Sequence, residues 1–212
     1  MFIPMGEETS VLEEFVTTKI MEKKSLNLGK VSEIRNELFN KYKKRGLISD
    51  KFSNIFTDKS LNNFFFLKFI KEIYPNAKII NCKRDALSSI MSIFQNQLTE
   101  LAWAHDLVNI FKYFDNYFQI IANYNTKDPN FMYELQFDKL VNNPEEESKK
   151  LMKFCELPWN KKCLEFYKRK DLISKTASNI QIRSAIYKHS LERYLPYKKF
   201  LNQYGKKYSW FN

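Results

Sequence analysis

The sequence predicts an α/β protein in which a parallel sheet is flanked by many helices. Three observations carry that expectation. Two short runs, 77–82 (AKIINC) and 131–137 (FMYELQF), have the length and residue types of strands. Longer segments with helical spacing of apolar residues lie before, between and after them. Hairpin signals are few, so strands separated by helices argue for parallel pairing. Two strands is a small number for such a sheet, which implies that others are short or that part of the sheet is missing.

Thr9 or Ser10 can cap a first helix over 11–24 (VLEEFVTTKIMEKK), since either hydroxyl can accept from a first-turn amide. Gly29 breaks that pattern, and a second amphipathic helix is expected over 31–45, ended by Gly46. Residues 47–60 read as polar and irregular and contain Thr57-Asp58-Lys59. The apolar stretch 63–74 (NFFFLKFIKEIY) reads as a helix stopped by Pro75. The first strand then turns through Lys83, Arg84 and Asp85 into a helix that starts at Ala86. A long helix over 103–124 carries aromatic residues at 111, 113, 114, 117, 118 and 124, a stripe that reads as core. After the second strand, Pro144 opens a helix over 145–155 with three acids in its first turn, where they complement the helix dipole. Leu157-Pro158-Trp159 interrupts, a short helix covers 161–167, and 168–190 reads as irregular, polar and basic. A short amphipathic helix and an aromatic tail close the chain.

The composition fits a packed protein. Hydrophobic residues make up 44% and aromatic residues 16% of the 212, which argues against disorder. The net charge of +11 is concentrated in the last third, where residues 139–212 hold 17 Lys and Arg against seven Asp and Glu. Such a surface attracts anions in general, including nucleic acid, acidic lipid or an anionic substrate, and a lysine-rich solvated face gives the same count. No helix-turn-helix, RNA-binding or zinc-finger pattern accompanies the charge, which ranks nucleic acid last among the partners. Cys82, Cys155 and Cys163 have no metal-ligand or disulfide-framework spacing, and Cys82 reads as a small core residue. No apolar run reaches eighteen residues, and the N-terminus lacks the features of a signal peptide, so a soluble, cytoplasmic protein is expected.

The stretch 77–92 carries the first chemical signal. A strand that feeds a helix places backbone N–H groups and the positive end of the helix dipole at the turn. Arg84 stands at that turn and Ser92 about two helical turns further on. A guanidinium fork and a hydroxyl suit the oxygens of a phosphate. The plainer reading is an Arg paired with Asp85 and a serine on a helix face.

The segment TDKSLNNFFFLKFIKEIYPNAKIINCKRDALSSIMSIFQN resembles the middle of bacterial sulfotransferases of the type linked to tetratricopeptide repeats, and is distantly similar to protein-tyrosine sulfotransferases. The likeness continues through YELQFDKLVNNPEEESKKLMKFCELPW and TASNIQIRSAIYKHSLERYLPY into the tail. The opening GEET is similar to the segment that carries the acidic base in the tyrosine enzymes.

This resemblance implies a P-loop-kinase-like fold and transfer of a sulfuryl group from 3′-phosphoadenylyl sulfate (PAPS) to a hydroxyl, with no metal. It implies that Arg84 and Ser92 hold the nucleotide 3′-phosphate, and that Ser178 and Arg193 add nucleotide contacts from a closing segment. Lys59 matches the lysine that stabilises charge on the transferring group and its bridging oxygen; without the resemblance, Lys59 beside Asp58 reads as a surface pair. Glu8 matches the general base, Glu7 is an alternative for that role, and both also fit as acids at a helix N-terminus. Phe137 stands where the family has Tyr near the adenine, and Leu61 where it often has Pro.

One family feature has no counterpart in these 212 residues. The loop of the form PRSGTT, whose amides cradle the 5′-phosphosulfate, is absent; the four glycines are Gly6, Gly29, Gly46 and Gly205. The expectation is a single sulfotransferase domain over 1–212 that lacks the N-terminal strand and phosphate loop. The acceptor, whether peptide tyrosine, sugar or small alcohol, and the oligomeric state are not readable. A catalytically inactive nucleotide-binding or interaction remnant of the same fold is the alternative.

Overall fold

The computed structural model describes residues 3–22, 30–48, 55–168, 183–186 and 194–211. The chain forms two compact units, Met1–Ala77 and Lys78–Asn212, each built around a core of its own.

The first unit runs β1 (Met5–Gly6), α1 (Val11–Met21), α2 (Val31–Lys44), β2 (Thr57–Asp58), a 3₁₀ segment (Leu61–Phe66) and α3 (Leu67–Ile73). Its core is the apolar stripe of α1 (Val11, Leu12, Phe15) closed against Ile34, Leu38 and Tyr42 of α2, with Leu47 and Ile73. Such stripes are what helical spacing of apolar residues produces. Gly46 ends α2 as expected. Its φ of 76° is left-handed, and it lets the Gly46 and Leu47 amides donate to the carbonyls of Lys43 (2.9 Å) and Tyr42 (3.1 Å), closing a Schellman motif.

Two short strands form here, and one of them, β2, corrects the reading of 47–60 as irregular. β1 and β2 are parallel partners, Met5 opposite Thr57 and Gly6 opposite Asp58. Strands of two residues show no alternation, which is why sequence pattern misses them. Gly6 makes the pairing possible: a Cβ there would lie 2.5 Å from the Thr57 carbonyl oxygen. The apolar helix expected over 63–74 is also more complex. It is a 3₁₀ turn that passes into α3, and it stops before Pro75.

The second unit runs β3 (Ile80–Lys83), α4 (Ala86–Asn96), a 3₁₀ turn (Ala102–His105), α5 (Leu107–Lys127), β4 (Tyr133–Gln136), α6 (Phe137–Asn142), α7 (Pro144–Phe154), a 3₁₀ segment (Lys161–Lys168) and α8 (Lys198–Gly205), the last flanked by short 3₁₀ turns. β3 and β4 pair in parallel, Ile80 opposite Tyr133 through Lys83 opposite Gln136. The parallel arrangement expected from the sequence therefore holds in both small sheets.

The long helix starts later than position 103. Asp106 adopts an extended backbone and caps α5 by accepting from the Asn109 amide at 3.0 Å. The aromatic stripe of α5 is core as expected. Phe111 is buried among Tyr204, Tyr208, Trp210 and Phe211 of the closing segment, with ring centroids 5.8–6.1 Å away. The Trp210 indole donates to Asp115 Oδ1 at 3.1 Å, which fixes the tail to the helix.

Cys82 corrects a second expectation. It is exposed rather than part of the core, because β3 leaves three of its four residues exposed. Among the described residues no helix is long and apolar enough to cross a membrane.

Candidate functional site

Sequence-predicted residues stand at the carboxyl ends of parallel strands in each unit: Glu8 and Lys59 in the first, and Arg84 in the second. In open α/β sheets those ends are where ligands collect, because loops and helix N-termini converge there.

In the first unit, β1 leads to Glu8 and β2 to Lys59. The parallel register, extended by Lys59 N–H donating to the Gly6 carbonyl at 2.8 Å, brings the two side chains to the same end. The Lys59 ammonium lies 3.7 Å from Glu8 Oε1, with the side chains 60% and 48% exposed. An exposed ion pair of this kind contributes about 0–1 kcal/mol, so folding alone gives little reason for it. Helix α1 begins at Val11 and its first-turn acids are Glu13 and Glu14, so Glu8 lies outside the turn where a carboxylate would serve the helix dipole. Glu7 precedes it, half-buried, and its carbonyl accepts from the Thr9 amide at 2.8 Å.

Asp58 does not face Lys59 as a surface partner. Its Oδ2 accepts from the Thr9 hydroxyl at 3.0 Å and the Tyr42 phenol at 2.7 Å, and its Oδ1 from the amide and hydroxyl of Ser60 at 3.0 and 2.7 Å. Burial, and then the neighbouring Asp58 charge, push the Tyr42 phenol far above its ordinary value. Thr9, Tyr42, Asp58 and Ser60 were not legible as a group. The only available signal was a polar Asp inside a short stretch beside a candidate lysine.

In the second unit, β3 ends at Lys83 and Arg84 follows. Asp85 caps α4 by accepting from the Ser88 amide at 2.7 Å, which orients the first amides of α4 toward the same turn. The neighbouring strand β4 ends at Gln136, opposite Lys83, and Phe137 follows it. The Arg84 guanidinium lies over the Phe137 ring, 5.4 Å from its centroid. A ring at that distance attracts the guanidinium and helps hold it at the strand exit. Ser92 lies along α4 past the buried Ser88, about 9 Å of helix rise from Ala86. Its hydroxyl accepts from Asn96 Nδ2 at 3.3 Å. Ser178 and Arg193 lie outside the described residues. Among the described residues no cluster of His, Cys, Asp or Glu could hold a metal ion.

A sequence profile of the sulfotransferase family matches residues 8–161, a span that begins at Glu8 and includes Lys59, Arg84 and Ser92. The chain belongs to the sulfotransferase family. A protein of Aquifex aeolicus (strain VF5), described as uncharacterized, is 36% identical over 148 residues, which is 68% of this chain and 19% of that protein. The chain thus spans about a fifth of the length of the curated relative it matches. Among solved structures, a sulfotransferase domain from the curacin biosynthetic pathway aligns with a TM-score of 0.48 and 15% identity, over 72% of this chain and 53% of that one.

Proposed function

We propose that this chain is a PAPS-dependent sulfotransferase domain with a P-loop-kinase-like arrangement, acting in the cytoplasm on a hydroxyl-bearing acceptor. The observation that carries the reading is the Glu8–Lys59 pair, held 3.7 Å apart at the exits of adjacent parallel strands within the family-matched span. In this reading the acceptor oxygen attacks sulfur, and the bond from sulfur to the bridging phosphate oxygen breaks with its electron pair staying on the phosphate. Glu8 takes the acceptor proton, and Lys59 stabilises the negative charge that grows on the bridging oxygen. Arg84 and Ser92 hold the 3′-phosphate, with the α4 N-terminus adding its amides and dipole, while Phe137 offers an aromatic face beside the adenine. Ser178 and Arg193 complete the nucleotide contacts. No step calls on a metal.

The residues fit the donor in one checkable respect: a guanidinium, a helix N-terminus and an aromatic ring share the ends of β3 and β4. A second reading is a nucleotide-binding protein of the same family without turnover.

Calorimetric titration with adenosine 3′,5′-bisphosphate tests the nucleotide site without requiring activity. Binding is expected in the wild-type chain, with a loss of about tenfold to a hundredfold in Arg84→Ala, the range of a charged hydrogen-bonded contact. Equal affinity in both proteins would remove Arg84 from the site. Binding without sulfuryl transfer to any tyrosine peptide, sugar or simple alcohol would select the second reading.

A further inference from the structure

We propose that Asp58 is a positioning residue: its carboxylate clasps the two strand exits and thereby sets the spacing between Glu8 and Lys59. The role rests on the sulfuryl-transfer reading above, because only that reading gives the Glu8–Lys59 spacing a purpose. The argument starts from sequence adjacency. Thr9 follows Glu8 directly, and Asp58 precedes Lys59 directly. A bond from the Thr9 hydroxyl to Asp58 therefore ties together the residues next to the two candidate catalytic groups. The tie spans 49 positions of chain and sits at the last paired position of β1 and β2, two residues each, where Asp58 stands opposite Gly6 and the Lys59 amide makes the last backbone bond of the pair.

The carboxylate is held from both sides. Oδ2 receives Thr9 and the buried Tyr42 of α2, so the clasp is anchored to the core of the unit. Oδ1 receives the Ser60 amide and hydroxyl, which fixes the backbone on the far side of Lys59. The Ser60 oxygen in turn accepts from the Ser10 amide at 3.0 Å, closing a second tie across the same gap. Glu8 and Lys59 themselves are exposed and their pair is long, so little in their own contact fixes the distance. Fixing comes from the neighbours. A carboxylate with four donors converging on it is a stiff joint, and a shift of about an ångström in a catalytic pair is enough to slow a reaction severely.

Zero-length carbodiimide crosslinking reads this spacing directly. The reagent activates the Glu8 carboxyl, and the Lys59 amine displaces the urea to leave an isopeptide bond, quantified by peptide mass spectrometry. The Lys19–Glu37 pair, 2.8 Å apart between α1 and α2, serves as the internal reference for an intact first unit. Asp58→Asn keeps the size of the side chain but cannot accept from Thr9 and Tyr42 at its amide nitrogen. The expected result is a drop of about tenfold in the Glu8–Lys59 crosslink against an unchanged Lys19–Glu37 crosslink. Thr9→Val should fall in the same way, and Thr9→Ser, which restores the hydroxyl, should recover the yield.

A Glu8–Lys59 yield that stays level in Asp58→Asn and Thr9→Val overturns the proposal. Loss of both crosslinks together in both variants also overturns it, because the network then serves folding alone. The measurement needs no turnover. A wild-type crosslink that depends on Asp58, in a chain that transfers no sulfuryl group, would leave the clasp standing while the functional reading fails.

Discussion

The two units hold their candidate residues by different physics. In the first, a polar knot around Asp58 fastens two strand exits, and the candidate side chains Glu8 and Lys59 project from it into solvent. In the second, a helix cap and an aromatic ring orient Arg84, while an aromatic cluster on α5 ties down the chain terminus. A polar knot is directional, so it can fix a distance between two groups to within a fraction of an ångström. Aromatic packing is less directional and contributes mainly bulk stability. The candidate catalytic and candidate nucleotide-binding residues thus rest on differently built supports, and substitutions should separate them.

The largest effect is expected in the aromatic cluster. Phe111→Ala removes a fully buried ring in contact with four others and should cost about 3–5 kcal/mol, read as an earlier urea transition monitored by tryptophan fluorescence. Unchanged stability would show that the tail packs without needing Phe111. Next comes Lys59→Ala, which should lower kcat about 10²–10³-fold while leaving adenosine 3′,5′-bisphosphate affinity unchanged. Equal losses in both quantities would blur the separation between the two supports.

A smaller effect appears at alkaline pH. The folded state keeps the Tyr42 phenol protonated well past its ordinary value of about 10, whereas the unfolded chain releases that proton. Stability supplied by Tyr42 is therefore complete below about pH 10 and should fall above it by up to about 1.4 kcal/mol per pH unit. Tyr74, Tyr117 and Tyr133 are shifted the same way, mainly by burial, so the comparison that isolates Tyr42 is with Tyr42→Phe, whose decline should be shallower. Parallel curves for the two proteins would contradict this. The smallest effect is Gly46→Ala, about 1 kcal/mol of strain from the left-handed backbone, with no new contact to add to it. It should lower the thermal midpoint slightly and leave the Glu8–Lys59 crosslink untouched.

What the sequence disclosed follows from range. The α2 stripe, the Gly46 stop, the Pro144 start and the aromatic face of α5 are written in residues close together in sequence, and each stands in the structure, although α5 starts later than expected and 61–66 is a 3₁₀ segment. The strand that feeds Arg84 was legible for the same reason, although it begins three residues later than the apolar run. The pairing of β1 with β2 was hidden, since two residues carry no period and their register depends on a glycine 51 positions from its partner's carbonyl. The Asp58 clasp was hidden because its donors come from positions 9, 42 and 60, a relation that only the folded chain creates. Resemblance located Glu8 and Lys59 as separate residues; geometry alone put them side by side.

β3 has a practical side. Among the described residues it pairs with β4 only, and Ile80 stands 38% exposed on a strand with its other edge open. Open edges are templates on which a second chain can lay its own backbone, and lysines are a common deterrent. Lys78 precedes this strand and Lys83 ends it, but each is already paired with a carboxylate, Glu156 at 2.6 Å and Glu134 at 3.9 Å, so their charge is only a partial guard against self-assembly, and salt screens what is left. Concentrated stocks at high ionic strength should therefore cloud first, and a dilute, low-salt buffer is the better store for the protein.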